Sequence, residues 1–489
     1  MLINIDQIDH LEKLTQLGKT SEIKDFFNKI KFSKIPRKYR EPLATIARRN
    51  NLMIINLKIL NPIVRSEKVL DMPATDNELL SYASGLSFLG LVKEAKGVIL
   101  KVKNINLPER NLQLAFVYLN LWDHKSAGPL IKKFITMQPK NSYSHIVGLV
   151  NLAACYISDN QLVKAENILN NVFNLTSDNS YNLLRGNAFE LKAQLNFRNN
   201  DFTNALKNSQ IAKSLFPDKG SLYLLFAEKW EALAQLMLNP QNLISVENVQ
   251  KIKLKAKEMR HWETIRDCDL YLAISCSNKY LIEKVYFGTP LLTFKNKIIT
   301  LWKKKIDNKN SIEIFNEKSI LSIQVFELLS AHDFLRRIEK NRFAKKFLFF
   351  LFTDFYKPKS LGEIFSHLYG DQFFDPIHST KRVLNHFLFL KKQIKIFQIP
   401  IELSHVGNDF FWIPKDNFKI IVPLNFKSDD IEVFVNKLKL KFKGKSFSSL
   451  QVVSLLQISK TKAIKLLTLS INKKQIKVRG QGRARRYHF

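Results

Sequence analysis

Hydrophobic residues recur with helical spacing from the start of the chain to about residue 345. Within this part, alanines stand in pairs with twelve positions between partners. The pairs are Ala83 and Ala95, Ala115 and Ala127, Ala153 and Ala165, and Ala193 and Ala205. An alanine lets one helix lie close against its neighbour, and a later proline, Pro139 or Pro217, ends the second helix. The pattern predicts stacked helix pairs over residues 76–240, with further helices over 6–70 and 241–305.

Aromatic residues between these alanines extend the pattern. The matching runs are Ala115–Tyr118–Ala127–Phe134–Pro139, Ala153–Tyr156–Ala165 and Ala193–Phe202–Ala205–Ala212–Pro217. They resemble tetratricopeptide repeats, although successive pairs are 32, 38 and 40 residues apart and not evenly spaced. The resemblance implies an α-solenoid of degenerate helix pairs over residues 1–305. The concave face of such a stack commonly binds a protein or peptide partner.

The last segment, residues 428–489, has the pattern of a helical pair followed by a hairpin. The predicted elements are a helix over Asp429–Leu440, a short strand at Ser446-Phe447, helices capped by Ser449 and Ser459, a strand over Ile476–Val478 and a return strand over Arg483–Phe489. The expected buried positions are Leu450, Val453 and Leu456 on the first capped helix, and Ala463, Ile464, Leu467 and Ile471 on the second. This order resembles the winged helix-turn-helix of many bacterial transcription regulators.

Residues 342–425 carry a second version of this order, after a linker and helix over residues 306–341. Helices are predicted over Phe343–Phe352 and Ser360–Tyr369, with a third from Asp375 that buries Ile377, Val383, Leu384, Phe387 and Leu390. Strands follow over Lys395–Leu403 and Phe410–Pro414. Leu368-Tyr369-Gly370 resembles the end of a helix in OmpR-type winged helices. Because this hairpin carries no arginine, packing or dimerisation remains an alternative role for the module.

The charge distribution singles out the C-terminus. The chain of 489 residues has a formal net charge of +34, which favours a phosphate-bearing or anionic partner. Residues 433–489 contain 15 Lys and Arg and no acidic residue, whereas residues 71–240 have a net charge of only +3. A helix fits the major groove of DNA, and arginines suit phosphates or the minor groove. The predicted DNA contacts in the last module are Ser459, Lys460, Thr461, Lys462, Lys465, Arg479, Gln481, Arg483, Arg485 and Arg486. Those in the preceding module are His378, Lys381, Arg382 and His386.

Other chemistry finds little support in the sequence. Gly18-Lys19-Thr20 and Gly444-Lys445-Ser446 lack the earlier glycine of a phosphate-binding loop, and the sequence has no metalloprotease, serine-hydrolase or dinucleotide-binding motif. Cys155, Cys268 and Cys276 give no disulfide framework and no zinc-site spacing. No signal peptide and no apolar run long enough to span a bilayer is present. We therefore expect no enzymatic activity, no cofactor, no metal, no membrane association and a cytoplasmic location.

Together these patterns predict a mainly α-helical protein made of an N-terminal solenoid and two winged-helix modules. The expected function is a sequence-specific DNA-binding transcriptional regulator that contacts double-stranded DNA. Its repeats would bind a protein, a peptide or a second copy of the chain as a homodimer. The alternative is a non-catalytic interaction scaffold whose basic C-terminus binds RNA or an anionic surface; a disordered basic tail is the simplest competing interpretation of that segment.

Overall fold

The computed structural model divides the chain into two compact units. The large unit contains Met1–Asn308 and Ile312–Val422, and the C-terminal unit contains Lys309–Ser311 and Pro423–Phe489. The structure describes residues 4–489 except 17–18, 66–71, 178–180, 217–220, 241, 308, 310, 316–323, 371, 424–434, 436–437, 439–440, 443–445, 457–459, 473–474 and 481–484. The described chain is mainly helical with a few small sheets, as the sequence predicts.

Helices account for almost all of the large unit up to residue 302. They are α1 Ile5–Gln16, α2 Thr20–Lys29, α3 Arg37–Arg49, α4 Met53–Val64, α5 Asp76–Phe88, α6 Val92–Ile99, α7 Pro108–Asn120, α8 His124–Thr136, α9 Tyr143–Ser158, α10 Leu162–Leu175, α11 Asn182–Arg198, α12 Phe202–Leu215, α13 Leu222–Leu238, α14 Leu243–Glu258, α15 Trp262–Ser275, α16 Lys279–Phe287 and α17 Leu292–Trp302. From α3 onward each helix packs on the next, and α9, α11, α13 and α15 also pack on one another in turn.

The paired alanines explain this close packing. All eight alanines of the four pairs are fully buried, with 0% of their surface exposed, and each pair lies on two consecutive helices. The prediction that these positions face neighbouring helices is therefore confirmed. Side chains also cap two later helices: His261 and Asn278 accept hydrogen bonds from the backbone N–H groups of Thr264 and Leu281 at the starts of α15 and α16.

A recurring tight turn joins the two helices of several pairs. Asn160 and Asn200, which follow α9 and α11, have the left-handed backbone conformation with φ of 57° and 61°. Asparagine tolerates this conformation well, so the chain reverses there without glycine. After α11, Asp201 caps α12 by accepting from the Asn204 backbone N–H at 3.1 Å. Short polar residues thus end one helix and start the next within two positions.

The rest of the large unit mixes helices and strands. Its elements are β1 Ser311–Phe315, β2 Gln324–Glu327, α18 His332–Glu339, α19 Arg342–Leu351, β3 Lys359–Ser360, α20 Leu361–Tyr369, α21 His378–Ile396, β4 Ile401–Val406, β5 Asp409–Pro414 and β6 Phe418–Pro423. One sheet has the order β3-β5-β4 and another the order β1-β6-β2. In the second sheet β2 runs parallel to β6, with Gln324 opposite Phe418.

Several sequence expectations for this part need correction. The strand predicted over Lys395–Leu403 is wrong at its start, because α21 continues to Ile396 with Gln393 and Ile394 buried, and the strand begins at Ile401. Ile377 is 48% exposed and lies before α21, so it is not a core residue. The segment 306–341 contains β1 and β2 before its helix α18, and β6 was not predicted. The helices α19 and α20 agree with prediction.

The C-terminal unit is small and partly described. Its elements are α22 Ser449–Leu456, α23 Lys460–Asn472, β7 Lys477–Arg479 and β8 Arg486–His488. The strands β7 and β8 pair in antiparallel fashion, and Phe447 forms a bridge with Tyr487. Most of the helix predicted over Asp429–Leu440 lies outside the described residues, as do the turn at 457–459 and residues 481–484.

Two local predictions for this unit are wrong. Ser448, not Ser449, makes the helix-start contacts, because its Oγ accepts from the Gln451 N–H at 3.3 Å and its own N–H donates to Gln451 Oε1. Leu450 and Ile464 are exposed to 64% and 41%, whereas Val452, Ala463 and Leu467 form the buried side. In the described part of the chain, no helix is long and apolar enough to cross a membrane.

Candidate nucleic-acid interface

The core of the C-terminal unit holds α23 and the hairpin in fixed positions. Ala463 and Leu467 of α23 and Tyr487 of β8 belong to one buried cluster with Phe447 and Val452. Phe447 stacks near the Tyr487 ring, with centroids 6.0 Å apart. A helix and a hairpin that share one apolar core present their polar faces from a common, rigid base. This core therefore fixes the positions of the basic residues on α23 and on the hairpin relative to each other.

The first turn of α23 is exposed and basic. The side chains of Lys460 and Thr461 are both exposed, whereas that of Ala463 is buried. Lys462 and Lys465 lie in α23, but their side chains are outside the described part, and Ser459 is outside it altogether. A helix N-terminus carries a partial positive charge, so an exposed lysine there adds to a field that attracts anions.

The hairpin presents two arginines side by side. Arg479 of β7 lies opposite Arg486 of β8, and both are exposed. Like charges on directly opposite strand positions repel each other, and an anion between them removes that cost. Together with Ser446, Gly480 and His488 they line a hollow of about 490 Å³. Arg485 lies with its guanidinium carbon 5.6 Å from the Tyr487 ring centroid. Gln481 and Arg483 are outside the described residues.

Within the described part of the C-terminal unit, no acidic side chain pairs with these cations. Residues 433–489 contain no Asp or Glu. Among the described residues, no ion pair involves Lys460, Arg479, Arg485 or Arg486. A cation without a partner keeps its attraction for phosphates, and each phosphate contact releases condensed counterions. The described surface of the C-terminal unit is therefore suited to a polyanion.

The four residues predicted on α21 divide into two kinds. His378 and Lys381 are exposed near the start of this helix. Arg382 is exposed as well, but its guanidinium carbon lies 3.7 Å from the centroid of the Tyr369 ring, and it donates to Gln372 Oε1 at 3.0 Å. His386 Nε2 is 2.8 Å from the Tyr369 hydroxyl, and burial, followed by the charge of Arg382, lowers the pKa of this histidine. Arg382 and His386 thus stabilise the joint between α20 and α21.

Buried ion pairs in the large unit are a feature that sequence reasoning missed. Arg266 of α15, fully buried, donates to both Asp354 carboxylate oxygens at 3.0 and 2.9 Å. Asp269, also fully buried, pairs with Lys253 at 2.8 Å and accepts from the Tyr356 hydroxyl at 2.8 Å. Arg266 and Asp354 are 88 positions apart in the sequence, so no local pattern could reveal their pairing.

A second buried group lies between α13, α15 and α17. Lys229 and Lys297 donate to the two oxygens of Asp267 at 3.1 and 3.2 Å. Burial lowers the pKa of Lys297 to about 8, while the charge of Asp267 acts in the opposite direction. Hydrogen bonds satisfy these charges within the protein, so the group is suited to holding helices together.

A cavity of about 500 Å³ opens beside the first of these ion-pair groups. Helices α14 and α15, the 354–359 segment and strand β5 form its walls. It combines aromatic side chains with lysines, and it lies entirely within the large unit.

No cluster of three or more His, Cys, Asp or Glu side chains that could hold a metal ion occurs in the described part of the chain. Cys155, Cys268 and Cys276 are free thiols, and burial raises the pKa of Cys155 to about 11. Such a thiol is a poor nucleophile at neutral pH.

No family model matches the sequence, and no curated protein matches it significantly.

Proposed function

We propose that the chain is a sequence-specific, non-catalytic DNA-binding transcriptional regulator. The observation that carries the proposal is the pairing, on one small core, of an exposed basic helix start at Lys460 and Thr461 with the opposed arginines Arg479 and Arg486. A helix start reaches base edges in the major groove, and a basic hairpin beside it reaches the phosphates. Both parts are needed for a protein that discriminates among duplex sequences.

The finer architecture belongs to the same proposal. We infer that α22, α23 and the β7–β8 hairpin form a winged helix-turn-helix, and that residues 342–425 form a relative of it that serves mainly in packing. The packing of Arg382 and His386 on Tyr369 supports this second role. The helix pairs before residue 305 are proposed to form a tetratricopeptide-like solenoid that binds a protein, a peptide or a second copy of the chain; the regular burial of the paired alanines supports it.

The test is selection of binding sites from random duplex DNA by the full chain. We expect an enriched motif, because side chains at the start of α23 reach base edges. Thr461→Ala should reduce the preference for that motif over mismatched sites by roughly 5- to 100-fold, the range for one lost base contact. Arg486→Ala should weaken matched and mismatched sites alike, and should reduce the slope of log affinity against log salt by about 1.

Lys24→Ala is the matched control. Lys24 is exposed on α2 of the large unit, and its replacement by alanine removes one positive charge, as Arg486→Ala does. It should change neither the motif nor the salt slope. Absence of an enriched motif for the wild-type chain would contradict the regulator. Equal binding of single-stranded RNA or of anionic vesicles, with no preference among duplexes, would favour the interaction scaffold instead.

A further inference from the structure

The cavity beside β5 is lined by a largely buried lysine that has no hydrogen-bond partner among the described residues. Lys359 of β3 is 6% exposed, lines the cavity and lies 4.7 Å from the Phe350 ring centroid. Among the described residues, its ammonium group has no hydrogen bond or ion pair, and Nζ keeps some accessible surface. Burial lowers the pKa of this lysine, while Asp354 and Glu363 act to raise it. A buried ammonium group without a partner is costly unless something else supplies an acceptor.

The acids that line the cavity are already engaged. Asp354 accepts both bonds of the Arg266 guanidinium and the backbone N–H groups of Tyr356 and Lys357. Asp269 pairs with Lys253 and Lys284. Among the described residues neither acid forms an ion pair with Lys359, and the lysines that line the cavity outnumber its acids, so the cavity carries net positive charge.

The walls of the cavity are largely aromatic. The rings are those of Trp262, Phe355, Tyr356, Phe410, Phe411 and Trp412. Leu254 and Lys257 of α14 are exposed at the rim. A volume of about 500 Å³ lies within the usual range for small-ligand pockets, which combine apolar walls with a few polar groups that fix orientation. Water alone would leave the aromatic walls wet, whereas a flat apolar ligand would cover them.

We propose that this cavity binds a small organic anion, a carboxylate attached to a flat apolar ring. The carboxylate accepts a charge-assisted hydrogen bond from Lys359 Nζ, and the ring packs among Trp262, Tyr356 and Trp412. A neutral ligand of the same shape fills the walls but leaves Lys359 without an anionic partner. The charge of the ligand therefore determines how tightly it binds, and the aromatic walls determine which ligand shapes fit. The site is independent of the proposed DNA contacts.

The test is calorimetric titration of the full chain, without DNA, with 2-naphthoate and with its neutral counterpart 2-naphthamide. We expect the wild-type protein to bind the acid at least about tenfold more tightly than the amide, as one charge-assisted hydrogen bond implies. Lys359→Met keeps the apolar stem and removes the charge. It should abolish the preference for the acid while leaving amide affinity within about twofold.

Lys391→Met is the matched control, because Lys391 is exposed on α21 and lies outside the cavity. It should keep the full preference for the acid. Leu254→Trp tests the same cavity without changing Lys359, in case Lys359→Met fails to fold. Leu254 is 63% exposed, so its replacement by tryptophan narrows only the rim of the cavity. This substitution should lower the affinity of the protein for both 2-naphthoate and 2-naphthamide. Equal affinity of the wild type for acid and amide, no binding of either, or an unchanged acid preference in Lys359→Met overturns the proposal.

Discussion

His261 shows how one side chain can tie stability to pH. Its Nδ1 accepts from the Thr264 backbone N–H at 3.3 Å and so caps α15. Only the neutral ring can accept this bond. Burial, and then the charge of Lys229, lowers the pKa of His261 to about 4, although Asp267 acts to raise it. The cap therefore depends on a histidine that stays unprotonated well below neutral pH.

We predict that His261→Asn makes the large unit less sensitive to acid. Between about pH 6.5 and 4 the unfolded chain protonates His261 and the folded chain does not, so wild-type stability falls as the pH falls through this window. Asparagine retains the cap and cannot titrate there. The wild type should lose about 1 kcal/mol more than the variant between pH 7 and 5, a value reduced because the ring is only half-buried.

Urea unfolding followed by tryptophan fluorescence measures this difference. All five tryptophans, Trp122, Trp230, Trp262, Trp302 and Trp412, belong to the large unit, so the signal reports that unit alone. If the urea midpoints of the two proteins decline in parallel from pH 7 to 5, His261 does not stay neutral in the folded state.

At the scale of elements, the sequence predicts what local periodicity determines. The paired alanines report contacts between consecutive helices, and a cap such as Asn278 fixes where a helix begins. The parallel pairing of β2 with β6 places Gln324 opposite Phe418. These residues are far apart in the sequence, so no local turn pattern could predict that the two strands pair. Each of these strands is also short, so alternation of polar and apolar residues has few positions in which to appear. In the hairpin β4–β5, the second strand was predicted to within one residue, whereas the first was placed too early because α21 extends further than expected.

We predict that one alanine of a pair cannot be enlarged. Ala165 of α10 is 0% exposed at the contact with α9 and α11, so Ala165→Leu should destabilise the large unit by roughly 1–3 kcal/mol through overpacking. Asn167→Leu adds a leucine to the exposed side of the same helix and should stay within about 0.5 kcal/mol of the wild type. Urea unfolding by circular dichroism at 222 nm compares them. Equal stability of the two variants would show that the pair does not set the helix spacing.

The same distinction applies to the candidate sites. The basic face of the C-terminal unit was predictable because its residues are consecutive in sequence and its acids are absent. The cavity was not, because Leu254, Lys359 and Trp412 come from three distant segments. Lys359 alone carries no signal in a chain so rich in lysine. Only the fold shows that this lysine is buried and that its ammonium group lies over an aromatic ring.

At the scale of the whole large unit, residues far apart in sequence hold the late segment against the early helices. Ser360 Oγ and the Gly362 N–H both donate to the Leu89 carbonyl at 2.9 Å. The Phe374 N–H donates to Glu94 Oε2 at 3.0 Å. Asp354, in the same late segment, binds Arg266 of α15. The segment from 342 to 422 thus contacts two separate parts of the helical body. It belongs to the same compact unit, although the sequence predicted a separate module after the linker at 306–341.

Gly362 is the position where this attachment tolerates no side chain. A Cβ there would lie 2.2 Å from the Leu89 carbonyl oxygen and 2.7 Å from a Leu91 side-chain carbon. The Leu89 backbone cannot retreat without losing the two hydrogen bonds it accepts, so Gly362→Ala should destabilise the large unit by roughly 1–3 kcal/mol. Tryptophan fluorescence in urea is the measurement, as for His261.

Gly97→Ala should change the stability in the opposite direction. It therefore separates the effect of the contact with Leu89 from the effect of helix propensity. Gly97 also lies within a helix, α6, but no atom lies within 4 Å of the Cβ it would gain. Alanine there should stabilise the large unit by up to about 1 kcal/mol, as in any exposed helix interior. Stabilisation by both substitutions would mean that α20 does not pack on Leu89 in solution. Destabilisation at Gly362 alone would mean that the early and late segments fold as one cooperative body. A methyl group added at residue 362 would then destabilise the whole unit through its clash with the Leu89 carbonyl oxygen.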